Sequence, residues 1–475
     1  MNKRKTKIVA TIGPVTSSKE NLIKLIASGV NVCRLNFSHG THEEHIEVIT
    51  NIREADKELG TNTAILGDLQ GPKIRIGEVK DDNIELVPGA KISITTNSIM
   101  GTEDMVSITY QDLPKDVKKG EQILLDDGKL MFEVISTNLK DEVKLKVIHG
   151  GYLSSKKGVN LPNTKISQPS LTEKDKKDLQ VILEQNLDWI GLSFVRSAKD
   201  IIELKHIISQ NNKQTKVVAK IEKPEAVIEL ENIVKESDAV MVARGDLGVE
   251  IPMQDVPLIQ KKIITTCLNF AKPVIVATQM MESMTENAAP TRAEVNDVAN
   301  AVMDGADAVM LSGETSVGKY PFTTVKAMCK IIKKIESDYE EMYSKEREPA
   351  KDIERFITDS ICFTSCRLAS RVEAKGIITM THSGYTAYKI SSQRPKAAVY
   401  VFSGNKKLLT QLSLVWGVKT FFYNKTVSTD HTIADIKYLL KKQGYVSEGD
   451  MIINTASIPI EESGKTNMMK MSVVE

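Results

Sequence analysis

The sequence predicts an α/β protein built on a (β/α)8 TIM barrel, and three observations carry the prediction. Short apolar runs alternate with helix-patterned segments, the order of a parallel sheet. Eight such runs stand out: Lys7–Ile12, Asn31–Asn36, Thr63–Asp68, Trp189–Val195, Val217–Ile221, Ala239–Ala243, Pro273–Ala277 and Ala308–Leu311. The runs then end abruptly in charge, most sharply at Lys220-Ile221-Glu222 and Arg244-Gly245-Asp246. An uninterrupted apolar run reads as a strand buried on both faces. Eight of them suggest a closed barrel rather than an open sheet.

Taken in order, helical patterning follows the first two runs at Asn21–Ala27 and Glu43–Leu59. It follows the fourth at Lys199–Ser209, the sixth at Val256–Phe270 and the seventh at Ala293–Met303. The interval from Asp68 to Trp189 is too long for one barrel helix. Inside it lie short alternating segments such as Lys91–Thr95 and Lys144–Ile148, with turn signals at Pro88-Gly89 and Asp127-Gly128. That pattern predicts a small all-β domain inserted after the third barrel strand. Inserted at the strands' C-terminal end, it is placed to act as a lid. A charged stretch, Ser344–Arg355, precedes four further strands at Gly376–Met380, Ala398–Phe402, Thr420–Tyr423 and Met451–Asn454. These predict an open α/β domain. The expected divisions are a barrel from 1–71 and 169–343, a β-barrel lid from 72–168, and a regulatory α/β domain from 350–475.

The 475 residues are 41% apolar and 26% charged, with Lys plus Arg at 63 and Asp plus Glu at 62. No overall basic excess argues for nucleic acid or a membrane surface. The five cysteines are sparse and odd in number, which is no disulfide framework. Cys362 and Cys366 would share a helix face, and buried small apolar side chains are the simpler reading. Met1–Lys5 looks briefly like a signal n-region, but the apolar stretch after it breaks at Gly13-Pro14. A cytoplasmic protein is expected.

The strand ends carry the chemistry. Arg34-Leu35-Asn36-Phe37-Ser38-His39 closes the second run, and Asp68-Leu69-Gln70-Gly71-Pro72-Lys73-Ile74-Arg75 follows the third. Ser193 and Arg196 close the fourth, Lys220 and Glu222 the fifth, and Asp246 follows the sixth. Thr278-Gln279 and Ser312-Gly313-Glu314 end the last two. Barrel enzymes build their sites on this face. Glu222 and Asp246 can bind Mg²⁺, which keeps waters and takes one or two protein carboxylates. Arg34, Arg75 and Lys220 can neutralise charge spread over a transferring phosphoryl group. No Cys–His or Ser–His constellation is apparent, which favours direct transfer over a covalent intermediate.

These motifs resemble the pyruvate kinase family. The likeness runs from Thr6-Lys7-Ile8-Val9-Ala10-Thr11-Ile12-Gly13-Pro14 through Arg34–Gly40, Ser155–Asn160, Lys220–Glu222, Met241–Pro252, Ala277–Met284, Pro290–Glu294 and Leu311–Thr315 to Gly464-Lys465-Thr466-Asn467. The resemblance implies transfer of phosphate from phosphoenolpyruvate to ADP, yielding pyruvate and ATP. It assigns Lys220 to the phosphoryl in flight, and Glu222 and Asp246 to Mg²⁺ or Mn²⁺. Arg34 would contact the phosphate, with Gly245, Asp246 and Thr278 at the substrate carboxylate. Asn36, Phe37, Ser38, His39, Arg75 and Lys157 would line the nucleotide. Thr278, Ser312 and Glu314 would orient a water or relay protons for protonation of the enolate. The family is usually a homotetramer. Its sugar-phosphate activators bind a loop matching Thr381, Ser383, Gly384 and Thr386.

One departure from the commoner family pattern stands out. Members that need K⁺ have Thr-Lys-Gly-Pro-Glu where this chain has Leu69-Gln70-Gly71-Pro72-Lys73. By position the K⁺ ligands would be Asn36, Ser38, Asp68 and Leu69. Leu69 offers no side-chain oxygen, and Lys73 brings an ammonium in place of a carboxylate. The chain resembles the K⁺-independent, Lys-bearing branch, so K⁺ is expected to be dispensable. A barrel lyase or aldolase on pyruvate-like acids would share the paired carboxylates but would need neither the nucleotide-side cations nor the lid. A silent binding protein would be expected to have lost Lys220, Glu222 or Asp246.

Overall fold

The structure, a computed structural model, describes residues 4–343, 345–349, 354–425, 428–458 and 466–475. Gly464 and Lys465, and part of the Ser344–Arg355 stretch, lie outside the described residues.

Among the described residues, eight parallel strands close a barrel: Lys7–Thr11, Val32–Asn36, Ala64–Asp68, Trp189–Leu192, Lys216–Ile221, Ala239–Ala243, Val274–Ala277 and Ala308–Leu311. Burial on both faces explains their unbroken apolar sequence. Along the first strand Val9 points into the barrel with Leu66, Trp189, Met241 and Met310. Ile8 and Ala10 point outward beneath the helices. The helices are set by local signals. Thr41, Thr172 and Thr291 each cap a helix N-terminus in a capping box, with Glu44, Asp175 and Glu294 returning the bond.

The fourth strand is shorter than expected. It ends at Leu192, and Phe194 turns into left-handed backbone with φ 55°. The turn aims the Phe194 amide at Glu222, as described below.

The inserted segment forms two sheets. A six-stranded mixed sheet runs in the order Val159–Asn160, Gln122–Leu125, Leu130–Thr137, Glu142–His149, Lys91–Thr95 and Met105–Ser107. A two-stranded ribbon pairs Ile84–Leu86 with Gly151–Leu153. The segment has its own core around Ile94, Phe132, Val134 and Leu145.

The last domain holds a five-stranded sheet ordered Val418–Phe422, Ala398–Ser403, Gly376–Met380, Met451–Ala456 and Met468–Val473. The final strand is antiparallel and was not anticipated. This domain closes the barrel's N-terminal end, where its Leu414 joins the interior cluster. Buried polar groups tie the junction. Arg394 donates to Gly305 O and Asp307, each at 2.7 Å. Asp188 gathers Arg53 at 2.8 Å, Lys407 at 3.0 Å and the Thr410 hydroxyl at 2.6 Å. That leaves the C-terminal rim of the barrel free for the site.

Candidate active site

Strand register brings the charged ends together. Asn36 pairs beside Asp68, Asp68 beside Gly191, and Leu192 beside Ala219. Each strand therefore delivers its terminal side chain to one level of the rim. Gly191 is required there by packing, since a Cβ on it would lie 2.6 Å from Asp68 Oδ1.

Asp68, nearly fully buried, is the hinge of the cluster. Its Oδ2 accepts from Arg34 Nε at 2.7 Å and Nη2 at 2.6 Å, and Arg34 Nη1 donates to Thr11 Oγ1. Its Oδ1 lies 3.4 Å from Lys220 Nζ. Lys220 in turn donates to Ser193 Oγ at 2.7 Å and pairs with Glu222 Oε1 at 2.8 Å. Burial works against the Lys220 charge, but the Asp68 and Glu222 carboxylates outweigh it and hold the pKa above the ordinary lysine value. Asp68 is likewise opposed by burial and carried below the ordinary range by Lys220 and Arg34. Glu222 is pushed up, first by burial and further by Asp246, against the pull of Lys220. Raised carboxylate and fixed ammonium side by side mark a site built to handle charge.

Glu222 Oε2 accepts the Phe194 amide at 2.9 Å, while no hydrogen-bond donor beyond its ion pair reaches Oε1. Asp246 is close enough to Glu222 for its charge to act on this carboxylate. Among the described residues no cluster of three or more His, Cys, Asp or Glu suits a metal ion. Two carboxylates with room for substrate oxygens and water fit Mg²⁺, which seldom has an all-protein cage.

Asp246 and Gly245 lie in a short helix, Arg244–Glu250, that starts directly after the sixth strand. Gly245 N donates to Thr278 Oγ1 at 2.7 Å, and Thr278 Oγ1 donates to Ala277 O at 2.6 Å. Thr278 sits at φ 68° and Gln279 at φ 55°. A β-branched residue there is strained, and such strain gathers at functional sites. Arg244 holds the strained turn. It donates to Thr278 O at 2.6 Å while forking onto both Asp297 oxygens at 2.7 Å. Arg244 is thus a support, although it ends a strand as conspicuously as Lys220. Glu314 is also committed to backbone, accepting the Met281 and Ser312 amides at 3.2 and 2.6 Å, and burial raises its pKa.

The nucleotide-side residues fall into two groups. Asn36 to His39 form a turn in which the Ser38 amide donates to Asn36 Oδ1. Phe37 is buried and stacks on His45 at 4.2 Å, so that its ring faces inward. Lys174 Nζ clamps the Phe37 carbonyl at 2.5 Å. Arg75 and Lys157 belong to the inserted domain. Arg75 Nη1 donates to Lys156 O at 2.8 Å, and Lys157 pairs with Asp126 at 2.9 Å. A crevice between barrel and inserted domain is lined by Lys73, Phe194, Arg196, Asn160, Lys223 and Asp246.

At the expected K⁺ position three of the four residues have internal partners, Asn36 Oδ1 accepting the Ser38 amide. Asp68 faces Arg34 and Lys220, and the Leu69 carbonyl accepts the Ser193 hydroxyl at 2.7 Å. The Leu69 side chain is buried in the core, and the Lys73 side chain is exposed.

The effector-loop residues lie in the last domain. Gly384, at φ 84°, precedes the helix Tyr385–Ser392 and donates to Thr381 Oγ1 at 2.9 Å. Ser383 Oγ accepts weakly from the Tyr385 amide, and Thr386 pairs with Thr466 at 2.8 Å in a buried position.

Ser193 and the central place of Asp68 were not assigned to phosphoryl chemistry from the sequence. Asp68 ends a barrel strand and Ser193 directly follows one, which was the one available signal.

Comparison with known proteins agrees with this geometry. Residues 3–325 match the family model of the pyruvate kinase barrel domain, and 359–472 that of the pyruvate kinase alpha/beta domain. The chain is 43% identical to the pyruvate kinase of Geobacillus stearothermophilus over 476 residues, covering 99% of this chain and 81% of that protein. It is 43% identical to the pyruvate kinase of Staphylococcus aureus strain MRSA252 over 474 residues, covering 99% and 80%. The crystal structure of a pyruvate kinase from Cryptosporidium parvum superposes with TM-score 0.93 at 37% identity, covering 100% of this chain and 97% of that one. The chain belongs to the pyruvate kinase family, phosphotransferases that move the phosphoryl group of phosphoenolpyruvate to ADP in glycolysis.

Proposed function

We propose that the rim cluster divides this reaction among its residues as follows. Lys220 neutralises the phosphoryl group in transit, and Arg34 contacts the phosphate. Glu222 and Asp246 hold Mg²⁺ or Mn²⁺, which when bound polarises the phosphoryl and carboxylate oxygens of the substrate. Gly245, Asp246 and Thr278 receive the substrate carboxylate. Asn36, Phe37, Ser38, His39, Arg75 and Lys157 line ADP, with the Phe37 contribution coming from its backbone. Thr278 orients a water or relays a proton toward the enolate, its own hydroxyl proton being replaced from solvent. Ser312 and Glu314 act through the loop they order. The observation that carries this reading is the Lys220 ammonium, fixed within 3.4 Å of Ser193, Glu222 and Asp68 at the barrel rim. A coupled assay for pyruvate, with and without Mg²⁺, tests it. Lys220→Met is expected to lower kcat by about a thousandfold, roughly 4 kcal/mol. Unchanged turnover would refute the assignment.

The enzyme is further proposed to work without K⁺. The Leu69 carbonyl bonded to Ser193 and the Asp68 carboxylate facing Arg34 and Lys220 support this reading, with Lys73 lining the crevice at the site. Kinetics in Na⁺- and K⁺-free buffer, with a bulky organic cation holding ionic strength, decide it. A rise of about tenfold on adding K⁺, roughly 1.4 kcal/mol, would defeat the idea.

A phosphate-bearing activator at Thr381, Ser383, Gly384 and Thr386 is the third element of the proposal. The hydroxyl-bearing turn that leads through Gly384 into the helix Tyr385–Ser392 supports it, and calorimetry with fructose 1,6-bisphosphate, ribose 5-phosphate and AMP tests it. A homotetramer accords with the exposed Ile228, Met253 and Leu258 on the barrel's flank; sedimentation reads the mass. Five unpaired cysteines suit the cytoplasm.

A further inference from the structure

A second ionic centre lies just behind the rim, and the chemistry above makes no use of it. Glu250 ends the short helix that begins with Arg244, Gly245 and Asp246, and its side chain is 1% exposed. Its Oε1 receives two donors. Lys223 Nζ stands at 2.6 Å, and Asn160 Nδ2 at 2.9 Å. Its Oε2 is buried without a hydrogen-bond partner.

The three residues come from the three segments that the reaction must align. Lys223 follows Glu222 directly, and its side chain is 5% exposed. Its ammonium lies 6.0 Å over the ring of Phe194, whose amide holds Glu222 Oε2. Asn160 belongs to the inserted domain, in the strand Val159–Asn160 that pairs with Leu124 and Leu125. It stands three residues after Lys157, and the same hairpin supplies Asp126, which pairs with Lys157. One carboxylate oxygen thus touches the residue that follows Glu222 at the end of the Lys220 strand, belongs to the helix carrying Asp246, and touches the strand that begins two residues after Lys157.

A buried ion pair of this kind is weak support for stability, because desolvation cancels much of its attraction. Its value lies in geometry: a charged acceptor shared by two donors fixes both. Asn160 is the neutral donor of the two. Its loss removes this link to the inserted domain while leaving the Lys223–Glu250 pair and the Arg196 bonds to Ile166 O and Gln168 O in place.

We propose that Glu250, Lys223 and Asn160 form a positioning triad that sets the inserted domain against the metal-holding strand ends, so that the nucleotide side of the site is registered to the phosphoenolpyruvate side. The triad is assigned no substrate contact, although Asn160 and Lys223 line the crevice between barrel and inserted domain. It acts through Lys157 and Asp246, and in that sense it rests on the roles proposed for them above.

The test is steady-state kinetics on the full-length enzyme carrying Asn160→Leu, with Lys157→Met as a parallel arm. Asn160→Leu is expected to raise the KM for ADP about tenfold, the loss of one hydrogen bond to a charged acceptor, with the KM for phosphoenolpyruvate within about twofold. Its melting temperature should stay near that of the wild type. Asn160→Leu and Glu250→Gln should be non-additive in kcat/KM for ADP, because one removes the donor of a contact whose charged acceptor the other neutralises. Asn160→Gln, which keeps the donor, should recover part of the affinity. An unchanged KM for ADP in Asn160→Leu, additive effects of the pair, or a fall in all parameters together with melting temperature would each overturn the triad. A Lys157→Met enzyme with normal ADP affinity would instead overturn the nucleotide-side assignment, and the triad with it.

Discussion

Asp68→Asn tests the central claim about the site, that one buried carboxylate holds two cations in working position. The substitution keeps shape and removes charge. In the native cluster Arg34 and Lys220 face Asp68 and Glu222, two charges of each sign. Asparagine leaves a net positive charge and turns an amide donor toward one of the two cations. At 3.4 Å the Lys220–Asp68 attraction is about 5 kcal/mol at an effective dielectric near 20. Removing one partner of a buried pair costs about 3–5 kcal/mol. Glu222 stays 2.8 Å from Lys220, so the lower end, about 3 kcal/mol, is expected. For a domain of this size that lowers the melting midpoint by about 5–10 °C. A multidomain chain is not guaranteed to unfold in two states, so the midpoint is the readout. With Arg34 and Lys220 unfixed, kcat/KM for phosphoenolpyruvate should fall about a hundredfold, roughly 2.7 kcal/mol. The pH dependence gives an independent check. The folded pKa of Asp68 is depressed, so its contribution is present above the unfolded value of about 3.9 and lost as pH falls through the folded value. Wild-type and variant midpoints should therefore converge in acid. Equal midpoints at pH 7 with near-normal kcat/KM would show that Asp68 organises nothing.

Gly191→Ala approaches the same group from the other side. Its Cβ would meet the pinned Asp68 Oδ1 at 2.6 Å, and an overpacked contact typically costs about 1–3 kcal/mol; a fall in kcat of about tenfold with a lower midpoint is expected, and full activity would mean that Asp68 yields freely. Lys7→Met addresses the domain junction. The Lys7 ammonium is buried, donates to Val418 O at 2.7 Å, and is pushed by burial down to about 7. Between that value and the unfolded value of about 10.4 the unfolded chain binds more protons, so wild-type stability rises with pH across the window. The variant should show a flatter midpoint against pH from about 7 to 10, with a residual slope from Lys5, itself lowered to about 7; parallel curves would refute the claim.

The barrel was legible because its strands are buried on both faces. Ala239–Ala243 and Ala308–Leu311 carry nothing but apolar residues, and their limits coincide with the observed strands. The fourth strand misled for a local reason. Ser193-Phe194-Val195 continues the apolar pattern, yet Phe194 leaves the sheet so that its amide reaches Glu222. That bond spans 28 residues and has no local signature. Met468–Val473 escaped notice because it is an antiparallel edge with both faces partly exposed, so no clean alternation marks it.

The site divides along a similar line. Arg34, Lys220, Glu222 and Asp246 were legible as charges that interrupt apolar strands at one end. Their partners were not, because partnership depends on register. Asp68 sits between Arg34 and Lys220 only because Asn36 pairs beside it on one strand and Gly191 on the other. A slip of one residue would turn Asp68 to the opposite face of the sheet. Arg244 shows the converse. Its place at a strand end matched that of Lys220, yet a bidentate bond to Asp297, 53 residues away, makes it a structural clamp for the strained Thr278 turn. Charge at a strand end therefore nominates a residue. Whether the residue works on substrate depends on whether the fold has already supplied its counter-charge. Arg244 has a full fork on one carboxylate, while Lys220 divides its charge among Asp68, Glu222 and Ser193 and keeps a place at the rim. By that criterion Arg244 is spent on Asp297 and the Thr278 turn, while Lys220, shared among three partners at the rim, is placed where a phosphoryl oxygen would arrive.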